Sequence, residues 1–221
     1  MQIVSLINQA IPELSQQSSI GNALDKMELL KLNQLPVVEQ SEFKGLVFED
    51  KLLDFPDQDL HLDSLPMEGK SCYVFENQHF LEALKVAQLN SSDIVAICNT
   101  QNQYIGAVSV ADIATYLSSQ YFVQQTGATL VLSMFERDYS LAELSRLIET
   151  NNIKILAIFL ETDPSDMAKV LVTIKLNQID FTKVAATFER FNYTIVEYYG
   201  ETSNTSSDLD RLGSFLRYLD V

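Results

Sequence analysis

An α+β protein of two domains is the fold that the sequence predicts, and two observations predict it. Residues 19–55 can be laid over residues 79–117, and each copy reads as a helix, a strand, a polar turn, a second strand and a second helix. Residues 129–199 then alternate between strand and helix in a different order. A chain of 221 residues is long enough for two domains with separate cores. We predict domains at 1–122 and 123–200.

The two copies of the repeat match in several places. The strand LPVVE at 35–39 corresponds to VAICN at 95–99, and Gly45 corresponds to Gly106 after a one-residue insertion. Each copy is predicted to be a β-α-β-β-α unit. A unit of about 50 residues buries too little apolar surface to be stable alone, so we expect the two copies to pack against each other. The Asp- and Pro-rich stretch 54–70 is predicted to connect them.

The second domain is predicted from its hydrophobic pattern and its helix caps. Ser140 precedes a helical stripe of leucines and is a good N-cap, and Asp180 stands in the same position before the next helix. The element order is β-α-β-β-α-β, which is the ferredoxin-like arrangement. The predicted ranges are strand 129–135, helix 140–152, strand 153–161, strand 167–176, helix 180–192 and strand 193–199.

The last residues, 201–221, are predicted to form a third segment. Residues 201–208 are polar and read as a linker, and the apolar residues of 209–219 lie at helical spacing. We expect a terminal amphipathic helix. It packs either on its own chain or on a partner subunit, and the sequence leaves this choice open.

The charge balance excludes two classes of partner. The chain has 15 Lys and Arg against 30 Asp and Glu, a formal net charge of −15, which repels phosphate backbones and anionic lipid surfaces. We therefore expect no nucleic acid and no membrane as a partner. No apolar run reaches the length of a membrane span, and the first residues do not resemble a secretory signal, so we expect a cytoplasmic protein.

The sequence indicates neither a metal site nor a disulfide bond. Cys72 and Cys98 lie within apolar runs, where a reduced thiol serves as a small core residue. His61 and His79 have no Cys or His at the spacing of a metal site. We predict no metal and no required cofactor.

The distribution of cationic residues limits what the first domain can bind. Residues 1–122 hold six Lys and sixteen Asp and Glu but no Arg, and all five Arg lie at position 137 or beyond. A polyphosphate normally needs guanidinium groups or a cluster of cations. A nucleotide held in the first domain is therefore expected to carry few phosphates.

The two copies carry different side chains at the junction between the second strand and the second helix, where a ligand could bind. The second copy reads GAVSVADI and carries Ser109 and Asp112, whereas the first reads GLVFEDKL and carries Phe48 and Lys51. A hydroxyl and a carboxylate three residues apart at a strand-to-helix junction can hold a sugar hydroxyl and a phosphate. The same pair can instead cap the helix and favour its dipole. Both interpretations stay open.

The doubled unit resembles a CBS-domain pair, also called a Bateman module, over roughly residues 5–120. The motif that carries the resemblance is the glycine, two apolar residues, serine, two residues and aspartate of 106–112, supported by LPVV at 35–38. Residues 129–200 resemble an ACT-like domain in topology and hydrophobic pattern. They have Arg-Asp-Tyr-Ser at 137–140, where many amino-acid-binding ACT domains have a glycine. The layout is similar to that of acetoin-utilisation proteins.

The resemblance implies a ligand in a cleft between the repeats. Asp112 would accept from the ribose hydroxyls, and Ser109 would bond the ribose or the first phosphate. The base would rest against Leu32 and the segment from Ile7 to Pro12. The ligand implied is AMP or another adenosyl compound. The mirror cleft at the first motif is expected to be filled or ligand-free.

Three functions remain as hypotheses. The first is a regulatory sensor that relays the binding of an adenosyl compound to the ACT-like domain and to a regulated protein of unknown identity. The second is an enzyme, which the lack of G-x-S-x-G, P-loop and G-x-G-x-x-G motifs opposes. The third is a scaffold that only dimerises. The resemblance also implies a homodimer, because CBS pairs and ACT-like domains commonly associate with copies of themselves.

Overall fold

Two separate hydrophobic cores divide the chain in the computed structural model, which describes residues 1–200. The first unit comprises Met1–Ser119, and the second begins at Gln120. The polar linker and the amphipathic helix predicted for 201–221 lie outside the described residues. Among the helices within residues 1–200, none combines the length and the apolar character needed to cross a membrane.

The first unit contains both copies of the repeat. Its elements are α1 (Ile20–Leu30), β1 (Gln34–Glu39), β2 (Glu42–Phe48), α2 (Glu49–Leu53), β3 (Tyr73–Phe75), α3 (Phe80–Leu89), β4 (Ile94–Cys98), β5 (Tyr104–Ser109) and α4 (Val110–Ser118). Strands β1 and β2 form an antiparallel two-stranded sheet. In the second sheet, β4 pairs in parallel with β3 and antiparallel with β5.

The sequence repeat is also a repeat of backbone conformation. Lys31 and Ser91, which stand just after α1 and α3, both have a positive φ, at 56° and 49°. The hairpins β1–β2 and β4–β5 both shift register late in their first strand. Corresponding residues in these stretches therefore adopt the same local structure in both copies.

The first copy lacks the leading strand that the sequence predicts. A single bridge stands in its place: the Leu14 N–H donates to the Pro36 carbonyl and the Leu14 carbonyl accepts from the Val38 N–H, both at 2.8 Å. Pro12 has no N–H and cannot extend this pairing. In the second copy, β3 pairs over three residues at the same position. The prediction of β-α-β-β-α was therefore wrong for the first copy, which reads α-β-β-α.

One hydrophobic core joins the two copies. Ile20 and Leu35 of the first copy and Ile94 and Ile113 of the second are no more than 1% exposed and belong to the same cluster. Each buried side chain of this size stabilises the fold by about 1.5–3 kcal/mol. Cys72 and Cys98 are both buried and form no disulfide, as the sequence predicts. Each copy thus buries its apolar surface against the other.

A buried polar contact holds one copy against the other. The Oε1 atom of Gln34, at the start of β1, accepts from the Ser92 hydroxyl at 2.6 Å and from the Asp93 N–H at 3.0 Å. Gln34 and Ser92 are 7% and 5% exposed. A buried polar group without a partner costs about 1–3 kcal/mol. The contact therefore favours this one alignment of the copies.

The second unit is a four-stranded sheet packed on two helices. Its elements are α5 (Tyr121–Gln124), β6 (Thr129–Phe135), α6 (Leu141–Glu149), β7 (Ile155–Thr162), β8 (Lys169–Leu176), α7 (Thr182–Arg190) and β9 (Thr194–Tyr199). The strand order is β7-β8-β6-β9, and every neighbouring pair is antiparallel. From β6 onward the element order is β-α-β-β-α-β, and β6 has the bounds that the sequence predicts.

The two helix starts of the second unit differ from each other. The Ser140 hydroxyl caps α6 by accepting from the Glu143 N–H at 3.3 Å, as predicted. Asp180 does not cap α7, because Phe181 takes the N-cap position without a side-chain bond. The Asp180 carboxylate instead accepts from the N–H and the hydroxyl of Thr182, at 3.0 and 2.7 Å. It stabilises the turn that leads into the helix.

We expect Gly45→Ala and Gly21→Ala to change the stability of the first unit in opposite directions. A Cβ on Gly45 would meet the carbonyl oxygen of Glu68, and its φ of 144° suits glycine, so we expect a loss of about 2 kcal/mol. A Cβ on Gly21, within α1, would be no closer than 3.5 Å to its neighbours, and alanine should stabilise the helix by up to about 1 kcal/mol. Urea denaturation of both variants measures this, and equal effects would contradict it.

Candidate functional site

Ser109 and Asp112 lie together at the junction of β5 and α4. Ser109 is the N-cap residue, and its hydroxyl accepts from the Asp112 N–H at 3.0 Å. The Asp112 Oδ2 atom accepts from the Ser109 N–H at 2.9 Å and from the Ser109 hydroxyl at 2.6 Å. This reciprocal pairing is a capping box. The structure therefore confirms that the Ser109–Asp112 pair caps α4, and a ligand-binding role for the pair stays a prediction.

Asn8 completes this cluster, and the sequence analysis did not single it out. Its Nδ2 donates to Oδ1 and Oδ2 of Asp112, at 3.0 and 3.1 Å, and its backbone N–H donates to the Ala107 carbonyl at 2.9 Å. A Cβ on Gly106 would lie 2.6 Å from Cγ2 of Ile7. The leading segment of the first copy therefore rests on the motif of the second. Asn8 is one of several polar residues in this segment, with Ser5 and Gln9, so no local pattern in the sequence distinguishes it.

The Asp112 carboxylate is held in its ionised form. Burial by itself would raise its pKa, but the hydrogen bonds from the hydroxyl and the N–H of Ser109 and from the amide of Asn8 favour the charged state. The net effect lowers the pKa of Asp112 below its ordinary value. The group is half-buried, so it carries a fixed negative charge at the start of α4 that water can still reach.

The remaining candidate residues are placed differently. Ile7 is brought to the motif, as its approach to Gly106 shows. Leu32 and Pro12 are half-buried, and Leu32 packs on the core of the unit. Among the hydrogen bonds of residues 1–200, none joins Leu32 or Pro12 to Ser109 or Asp112. The structure thus places Ile7 against Gly106 of the motif, and the ligand-binding roles of Ile7, Leu32 and Pro12 stay predictions.

The first motif is built differently and opens onto a cavity. Phe48 takes the N-cap position of α2 without a side-chain bond, and α2 has only five residues. A cavity of about 240 Å³ lies beside it. This cleft was expected to be filled or ligand-free. The cavity shows that it is not filled by side chains, and the ligand-free alternative stays a prediction. The lining residues are Leu46, Val47, Phe48, Lys51, Leu52, Asp54, Phe55, Leu65, Pro66 and Glu68.

Each motif is covered by the leading segment of the opposite copy. At the first motif the Leu46 N–H donates to the Glu68 carbonyl at 2.8 Å, and Met67 and Glu68 lie over Gly45. At the second motif Ile7 lies over Gly106, and the backbone hydrogen bond runs the other way, because the Asn8 N–H donates to the Ala107 carbonyl. Glu68 is therefore the counterpart of Asn8, just as Lys51 is the counterpart of Asp112.

Comparisons with known proteins give similarity at the level of structure. No protein-family model matches the chain, and no curated protein matches its sequence. A CBS domain pair/ACT domain protein from Thermotoga maritima is similar with 21% identity and a TM-score of 0.48, over 53% of this chain and 96% of that one.

Two further solved structures have similar TM-scores and lower sequence identity. The CBS domains of a transcriptional regulator from Streptococcus pneumoniae share 13% identity, with a TM-score of 0.46 over 52% of this chain and 98% of that one. A CBS domain-containing protein from Bacillus anthracis shares 13% identity, with a TM-score of 0.45 over 54% of this chain and 94% of that one. These structural neighbours are CBS-domain proteins by name.

We expect the stabilising role of Asp112 to depend on pH. Because the folded chain lowers the pKa of Asp112, its contribution is complete above the ordinary aspartate pKa of about 3.9 and is lost as the pH falls through the lowered folded value. Asp112→Asn should therefore reduce the free energy of unfolding at pH 7 by about 1 kcal/mol, and the difference from the wild-type chain should shrink below about pH 4.

Urea denaturation at a series of pH values measures this difference. Asp25→Asn is the matched control, because it removes the same charge from an exposed position on α1. A difference between wild type and Asp112→Asn that stays constant down to pH 3, or that equals the effect of Asp25→Asn, would contradict the assignment.

Proposed function

We propose that the chain is a non-catalytic regulatory protein. Its first unit is a CBS-domain pair that binds an adenosine-containing ligand at Ser109 and Asp112, and its second unit is an ACT-like domain that passes the binding event to a regulated protein. The ligand is AMP or another adenosyl compound with few phosphates, and the protein works as a homodimer in the cytoplasm.

The ionised, oriented carboxylate of Asp112 is the observation that carries this proposal. Within residues 1–200, its Oδ1 atom accepts only from the Asn8 amide, and a carboxylate oxygen has room for a second donor. A ribose hydroxyl would give a charge-assisted hydrogen bond there. The positive end of the nine-residue α4 favours a phosphate beside Ser109, although the N–H groups of Val110 and Asp112 already donate to Asp93 and Ser109.

The absence of recognisable catalytic motifs in the sequence supports a binding role over an enzymatic one. The chain has no G-x-S-x-G, no P-loop and no G-x-G-x-x-G. Asp112, the carboxylate of the proposed site, is engaged in a helix cap rather than aimed at a nucleophile. A proton-transfer role would also need a pKa near neutrality, whereas the pKa of Asp112 is lowered.

A ligand-free dimerisation scaffold is the second candidate. It is favoured by the completeness of the Asn8–Ser109–Asp112 cluster, in which each polar group already has a partner. Leu29 and Leu89 occupy equivalent positions on α1 and α3 and are 80% and 71% exposed, which suits association of two copies through their helices. The scaffold and the sensor share this self-association and differ in whether a ligand binds.

We expect Asp112→Ala to weaken AMP binding at least about tenfold, because a hydrogen bond to a charged acceptor contributes about 1.5–3 kcal/mol. Lys51→Ala, the matched position in the other motif, should leave AMP affinity unchanged. Calorimetric titration of the full chain measures both, after a screen of AMP, ADP, ATP and adenosylmethionine by thermal shift. Equal losses from both variants would show that the two motifs are equivalent, and no binding by any of the four would favour the scaffold.

We expect AMP to bind more tightly than ATP when no divalent metal is added. Residues 1–122 have sixteen acidic side chains, six lysines and no arginine, so each added phosphate meets a negative field with few cations to neutralise it. The preference should be larger at low ionic strength, where screening is weaker. Titrations of both nucleotides at two salt concentrations measure this, and tighter binding of ATP would overturn the charge argument.

A further inference from the structure

The cavity beside the first motif is a feature of the first unit that the proposed adenosyl site does not use. Its volume of about 240 Å³ lies below the roughly 300–1,000 Å³ of pockets for drug-sized ligands. The cavity is therefore the size of a small metabolite and not of a whole nucleotide. The apolar floor is the name used below for its buried lining residues, Leu46, Val47 and Leu52. The lining residues Phe48, Phe55 and Leu65 are half-buried.

The connecting segment that lines the cavity at Glu68 is attached to β2 by a backbone hydrogen bond. The Leu46 N–H donates to the Glu68 carbonyl at 2.8 Å, which joins the connecting segment to β2. Gly69 follows with a φ of 59°, and a Cβ there would lie 3.2 Å from the Leu46 side chain. The segment can thus pass closely over β2 only because glycine follows Glu68. A preformed site of this kind does not have to be ordered when a ligand enters.

Both signs of charge stand at the mouth of this apolar cavity. Lys51, Asp54 and Glu68 line it and are exposed. Within residues 1–200, no ion pair of 4.0 Å or less joins any two of them. At the second motif the equivalent residues meet directly, since the Asn8 amide is 3.0 Å from Asp112. At the first motif Lys51 and Glu68 form no such contact, so the charges of both side chains are available to a ligand in the cavity.

We propose that this cavity binds a small zwitterion with an apolar side chain, of which leucine and phenylalanine are the simplest examples. The ligand carboxylate contacts the Lys51 ammonium, and the ligand ammonium contacts the carboxylates of Glu68 and Asp54. The side chain enters the apolar floor and rests against the rings of Phe48 and Phe55. A molecule with only one charge would leave one side of the mouth without a partner, and an apolar molecule would leave both.

Calorimetric titration of the full chain with L-leucine and L-phenylalanine tests the proposal. We expect saturable binding to the wild-type chain and at least about tenfold weaker binding to Lys51→Met, since one charged contact is lost. Lys85→Met is the matched control, because it removes the same charge from an exposed residue of α3 outside the cavity, and it should bind as wild type does. N-acetyl-leucine and leucine amide, which each lack one charge, should bind at least about tenfold more weakly than leucine.

A second variant tests the volume of the cavity without changing the charges that line it. Leu65→Phe narrows the cavity without a change in charge and should also weaken binding, whereas Asp112→Asn at the other motif should not. The proposal is overturned if neither amino acid binds at millimolar concentration, if the two analogues bind as tightly as leucine, or if Lys51→Met and Lys85→Met behave alike. Titration of the same samples with AMP reports on the adenosyl site separately, so the two proposals can fail independently.

Discussion

The exchange of leading segments between the two copies is the constraint on which the first unit depends. Ile7 and Asn8 precede the first copy but lie on the motif of the second, while Met67 and Glu68 precede the second copy but lie on the motif of the first. Each such hydrogen bond contributes only about 0.5–1.5 kcal/mol. The buried side chains of the shared core contribute about 1.5–3 kcal/mol each, and Ile7 and Met67 of the two segments pack against that core. The exchange thus makes one folding unit of two short repeats.

The same exchange explains how one repeat produces two sites of different character. At the second motif, a serine caps a nine-residue helix and an asparagine from the opposite segment binds the aspartate, which closes the cluster. At the first motif, Phe48 cannot cap, the helix has five residues, and Lys51 and Glu68 replace the hydrogen-bonded pair. The two motifs occupy equivalent places in their copies. Their side chains and the lengths of the helices that follow therefore decide between a polar, ionised cluster and an apolar cavity with charges at its mouth.

The second unit shows which features of the fold a local sequence pattern can predict. The strand at 129–135 and the Ser140 cap were predicted as observed, because alternation and capping depend on residues within a few positions of one another. Asp180 was misplaced by one residue because its carboxylate can serve a turn as well as a cap, and Phe181 at the next position decides between them. Hydrophobic pattern therefore located the elements well and their ends less well.

In the first unit, local information in the sequence was enough to find the repeat and to pair Ser109 with Asp112, since these two residues are three positions apart. It was not enough to join Asn8 to Asp112, which are 104 positions apart, or to place an open cavity at the first motif. Local information also did not predict that the first copy lacks its leading strand. Pro12 has no N–H to donate, and pairing with β1 would require that donor. Contacts between distant segments depend on how two surfaces fit, and such a fit leaves no period or spacing in the sequence.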